Sequence, residues 1–211
     1  MKKVIVLAAA ALLFATPALA VISGTAHDLS LVNAGTSTET CVYCHTPHSA
    51  DVTVLLAPLW NRSTEAATGS VYAGVDLEAT TVAQMDLAAI NQTDAPLCLS
   101  CHDGSVSEVL VNEPNNGTTD LSGYVFSSAA ANLGTDMSND HPVGFSYSDA
   151  LTDTELHIVA DVTTSMGANP FFGATDDMWC SSCHDVHDDT NNPFLRMSND
   201  NSDLCLACHI K

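Results

Sequence analysis

The 211-residue chain is short of positive charge: five Lys and Arg stand against 25 Asp and Glu, a formal net charge of −20. Nucleic acid is a poor partner for it, because phosphate recognition needs a basic face. Anionic lipid surfaces are disfavoured for the same reason. Aromatic residues are scarce, at 6%, and much of the 46% hydrophobic content is alanine. Such a chain is poorly equipped for an ordinary side-chain core, so something else must help fill its interior. After the first twenty residues no apolar run is long enough to cross a bilayer, so a later membrane span is not expected.

The N-terminus opens Met1-Lys2-Lys3, continues apolar from Val4 to Ala15 and reaches Ala18-Leu19-Ala20. This pattern reads as a Sec-type signal peptide over 1–20, with the mature chain starting at Val21 and the protein exported to the periplasm or the cell exterior. The first cysteine, Cys41, is too far from that cleavage site to carry a lipid. Loss of Lys2 and Lys3 leaves Arg62, Arg196 and Lys211 as the basic residues and deepens the net charge to −22. Basic redox proteins and divalent cations suit such a field.

What the chain does have is eight cysteines and nine histidines, disposed so that every cysteine belongs to a CxxCH motif. The motifs are Cys41, Cys44 and His45; Cys98, Cys101 and His102; Cys180, Cys183 and His184; and Cys205, Cys208 and His209. With His at 9 of 211 positions, four CxxC pairs each trailed by His arise by chance roughly 3 times in a million. In this motif the two sulfurs add to haem vinyl groups and the adjacent imidazole binds iron from one face. Four covalent haem c groups are expected, with His45, His102, His184 and His209 as proximal ligands. Structural zinc would use CxxC pairs but leaves the trailing histidines unexplained. Disulfides in an exported protein explain no histidine at all.

The motifs lie in a duplicated unit. The first copy runs CVYCHTPH at 41–48, PLWNR at 58–62 and LCLSCH at 97–102, and the second runs CSSCHDVH at 180–187, PFLR at 193–196 and LCLACH at 204–209. A signal peptide at 1–20, a first dihaem module at 21–111, a loop-rich connector at 112–140 and a second dihaem module at 141–211 follow from it. Four of the remaining five histidines occupy matching places. His27 and His141 lie upstream of each copy, and His48 and His187 lie three residues past a motif histidine. Each is a candidate distal iron ligand, so all four haems are expected to be bis-histidine and low-spin, as electron carriers rather than open sites. His157 has no counterpart. Met85, Met137, Met166, Met178 and Met197 do not recur either and read as filler against haem edges.

Between the motifs Ser, Thr, Asn, Asp and Gly dominate, so the expected fold is mostly irregular coil with short helices and a few short strands, organised around the four haems. One or two helical turns are expected over Val75–Ile90, and short strands over Val143–Tyr147 and Leu156–Val162.

These residues resemble the doubled-CXXCH family of multihaem cytochromes from metal-reducing bacteria, and most closely its tetrahaem, filament-forming (OmcE-type) members. HDLS at 27–30 and NDHPVGF at 139–145 extend the likeness across nearly the whole mature chain. The resemblance implies closely stacked bis-histidine haems, little secondary structure and secretion. In filament formers it also implies a haem ligated by a neighbouring subunit's histidine.

Repeat logic leads to the same idea. His48 stands on the proximal side of its own haem and cannot reach the opposite face, so it binds a different iron, and the same holds for His187. If His187 reaches back to haem 2 within the chain, His48 must ligate haem 4 of another subunit. Such head-to-tail contacts need not close, and open ones build filaments. The leading function is therefore electron transfer, in an extracellular homopolymer that passes electrons to other redox proteins or external acceptors, rather than catalysis. Alternatives are a soluble periplasmic carrier, a multihaem reductase, which the lack of any departure from CxxCH disfavours, and a metal-stapled structural protein.

Overall fold

A computed structural model describes residues 21–31, 37–52, 57–62, 67, 69–71, 87–104 and 128–210. The signal peptide expected over 1–20, the connector over 112–127 and the helical turns over 75–86, Met85 included, lie outside the described residues.

Regular elements are short because polar and β-branched residues interrupt every apolar run. Among the described residues the longest helices are Ala95–His102 and Val159–Met166, eight residues each. The sheet pairs Phe145–Ser146 antiparallel to Asp177–Met178, with Phe145 opposite Met178. Helix Ala95–His102 carries Pro96 in its first turn, where no backbone donor is required.

Val159–Met166 replaces the strand expected over Leu156–Val162. Val159, Val162 and Met166 recur at helical spacing, and together they pack on a cluster of Tyr147, Phe171 and Met178. The hydroxyls of Thr163 and Thr164 donate to the carbonyls of Val159 and Ala160, four residues back, at 2.8 Å each. Gly167, at φ +74°, closes the helix in the left-handed conformation that only glycine adopts freely. Leu156 is bridged to His209, and Ile158 stays extended before the helix begins.

Among the described residues, apolar packing forms two small clusters. The other consists of Ala67, Ile90, Ala95, Leu99 and Met137. Phe145 packs against both clusters.

The two sequence modules interlock. Asp94 sits at the N-cap position of its own helix, yet its carboxylate accepts hydrogen bonds from the backbone N–H groups of Cys180 at 3.0 Å and Ser181 at 2.8 Å. It therefore caps the turn that carries the third CxxCH motif, where a negative charge is favoured. Val21 N–H donates to the His187 carbonyl at 2.9 Å, strapping the segment around Val21 to the second copy. Gly144, at φ +85°, lies so close to Ile90 that a Cβ there would stand 2.9 Å from Ile90 Cγ1 and 3.1 Å from its Cα.

Asp94→Ala should lower stability by about 1–2 kcal/mol, seen as an earlier urea midpoint. Gly144→Ala, which combines a left-handed φ with a backbone clash, should cost about 1–3 kcal/mol in the same assay.

Candidate haem-binding site

Each CxxCH sequence forms one helical turn. The segments are Thr40–Tyr43, Ala95–His102, Cys180–Cys183 and Asp203–Cys208. A turn brings residues three and four apart onto one side, so both sulfurs and the imidazole can face one ligand. The backbone N–H groups of His45, His184 and His209 donate to Cys41, Cys180 and Cys205 carbonyls at 2.8, 3.2 and 2.9 Å, which fixes where each ring begins.

Three motif histidines are also fixed at the ring. Nδ1 of His45 bonds the Pro58 carbonyl at 2.8 Å, Nδ1 of His102 that of Ala131 at 2.6 Å, and Nδ1 of His184 that of Pro193 at 3.1 Å. A carbonyl only accepts, so Nδ1 carries the proton and Nε2 presents its lone pair outward, the form a metal-binding imidazole needs. Sequence reading did not find these acceptors. The signal was the proline that recurs in the spacer of both copies.

The imidazoles then meet in pairs. His27 lies opposite His102 with ring centroids 6.0 Å apart, His187 opposite His45 at 6.2 Å, and His141 opposite His209 at 6.4 Å. Two imidazoles that bind one metal from opposite sides, each nitrogen about 2 Å from it, hold their ring centres about 6 Å apart. In every pair one ring comes from a CxxCH motif and the other from the distal candidates. His48 and His184 stand in none of these pairs and both are exposed, with His184 within electrostatic reach of His27. His157 takes part through its backbone, donating to the Cys208 carbonyl at 2.8 Å and accepting from Tyr147 Oη at 2.7 Å.

This arrangement differs from the pairing that the repeat predicts. His187 faces the first motif rather than haem 2, and His209 faces His141 rather than awaiting His48 of a neighbour. The interlocked modules are the reason, since the turn after the third motif is tied to the N-terminal segment through Val21 and His187.

His27, a candidate distal ligand, is firmly held. Its ring stacks on Phe194 at 4.4 Å, and its buried Nδ1 has no hydrogen-bond partner among the described residues. Burial first, then the nearby His102, lowers its pKa to about 4. It is thus neutral and ready to coordinate at ordinary pH.

The cysteines order the motifs along the molecule. Cys101 lies within electrostatic reach of Cys44. The ligand atoms of Cys98, Cys180 and Asp94 lie within 4.8 Å of one another. Cys183 lies within electrostatic reach of Cys205 and Cys208. Attachment points of the first and second, second and third, and third and fourth motifs are therefore adjacent. Burial pushes the thiols of Cys44, Cys183 and Cys208 up to about 11.

The donor set fits covalent haem: paired sulfurs, a tautomer-fixed imidazole beside them, and an opposed imidazole at metal-bridging distance. Bound there, haem supplies an iron that changes oxidation state without leaving its ligands. Residues 173–211, which hold the third and fourth motifs, match the family described as the doubled CXXCH motif. No curated protein matches the chain. The doubled motif marks a haem c-binding, electron-transfer protein. Among the described residues no helix is long and apolar enough to cross a membrane.

His27→Ala should convert one low-spin haem to high-spin in electron paramagnetic resonance. His157→Ala should leave the spectrum unchanged.

Proposed function

We propose that the chain carries four bis-histidine haems and conducts electrons along them as the subunit of an extracellular filament. The observation that carries this reading is the set of three opposed imidazole pairs with one motif histidine, His184, left over. The iron-binding pairs are then His45 with His187, His102 with His27 and His209 with His141. His184 of the third motif takes its second ligand from His48 of a neighbouring subunit.

Surface character supports a contact at both places. Around His48 the chain exposes Val52 at 87% and Leu59 at 52%, and the bond from Asp51 N–H to the Trp60 carbonyl, at 2.8 Å, brings these stretches together. Beside His184 stands exposed Val186. One patch inserting into a different patch is a heterologous contact, which propagates when the rotation does not close. Adjacent cysteine attachment points make the haem order within each subunit follow motif order. Residues of this chain hold the imidazoles in place and keep water from the buried ring edges, so the change in charge at iron needs little rearrangement.

The wild-type protein should give four haems per chain by pyridine haemochrome assay, and Cys205→Ser with Cys208→Ser should give three. His48→Ala should abolish filaments in negative-stain micrographs and expose one high-spin haem. Intact filaments of that variant with every haem low-spin would exclude the trans ligand.

A further inference from the structure

Arg62 is 2% exposed, the largest fully buried side chain among the described residues. Its Nε, Nη1 and Nη2 are all buried without a hydrogen-bond partner there. Leaving a guanidinium in that condition costs several kcal/mol by the usual penalty for an unpaired buried charge. Two residues away, on the same side of an extended segment, Trp60 Nε1 is buried and unpartnered too. Both groups only donate. A site built of donors, one of them a planar cation, is complementary to a carboxylate or similar oxyanion.

The second copy of the repeat sharpens the point. By backbone bonds the counterpart of Arg196 is Asn61, not Arg62. Arg196 N–H donates to the Cys183 carbonyl at 2.9 Å and Asn61 N–H to that of Cys44 at 2.8 Å. Their side chains also do one job, since Arg196 Nε donates to the Ser181 carbonyl at 2.5 Å and Asn61 Nδ2 to that of Val42 at 2.6 Å. Each pins the turn of its CxxCH motif. Arg62 is thus an addition to the first copy, and motif pinning leaves nothing for it to do.

We infer that Arg62, with Trp60 as a supporting donor, is the anchor of a haem propionate carboxylate. This rests on the reading that the motifs carry haem. Two haems can supply the group, the one attached at Cys41 and Cys44 and the one attached at Cys98 and Cys101. The Cys44 thiol lies within electrostatic reach of both Arg62 and Cys101. In a chain with so few cations, this ion pair sets one haem apart from the others. A compensated propionate stays ionised and does not take up a proton when its iron gains an electron. An uncompensated one favours ferric iron and binds a proton on reduction.

The test is potentiometric titration of Arg62→Gln and Arg62→Lys over about pH 5 to 8, with haem content measured first. Arg62→Gln should lower one haem potential and make it fall with rising pH. Arg62→Lys should restore most of the wild-type behaviour. Repeating Arg62→Gln without the haem at Cys98 and Cys101 identifies the donor: a persisting shift assigns the haem at Cys41 and Cys44, a vanished one the other. A fully loaded Arg62→Gln with wild-type potentials and pH dependence overturns the inference. Absence of haem from the wild type overturns instead the reading on which it rests. Where Arg62→Gln does not mature, infrared difference spectra of wild type carrying ¹³C-labelled propionates decide. One labelled carboxylate that stays ionised and unshifted across the range supports the anchor, and bands that all titrate as solvated acids sink it.

Discussion

The arrangement depends on holding pairs of imidazoles about 6 Å apart. Small errors in either ring would spoil such a pair, so the backbone around each motif histidine is heavily determined. A helical turn fixes the ring's origin, in His45, His102 and His184 a backbone carbonyl fixes the tautomer, and opposite His102 the face of Phe194 fixes the tilt of His27. The side-chain clusters are small by comparison and serve to hold these loops in register.

Duplication explains the economy of this scheme. The loop after each odd-numbered motif returns by the same path. Thr46 N–H donates to the Leu59 carbonyl and Asp185 N–H to that of Phe194, at 2.8 and 2.7 Å. Leu59 and Phe194 both take φ near +58°, a costly conformation for a bulky residue that repeats because the loop geometry requires it. Their surroundings differ: Phe194 is covered by His27, while Leu59 lies open.

Much of the site was legible beforehand because CxxCH is a covalent rule: spacing alone dictates which sulfurs and which imidazole share one ligand. The upstream and CHxxH histidines were legible as candidates because the repeat carries them. Their partners were not, since pairing depends on how two copies interlock through Asp94, Val21 and Gly144, contacts between residues far apart in sequence. The helix at Val159–Met166 was hidden for a similar reason. Its β-branched residues alternate weakly at the start, and only burial of Val162 against Tyr147 and Phe171 decides for the helical period.

Sequence by itself determined the chemistry: four CxxCH motifs, nine histidines, two copies of a unit and a chain almost without cations. Tertiary structure decided which imidazoles oppose each other, left His48 and His184 facing outward, and aligned Arg196 with Asn61 so that Arg62 stands alone as a buried cation. The division follows from range. Covalent attachment and local turns are set within a few residues, whereas ligand pairing and charge burial depend on distances that only the folded chain defines.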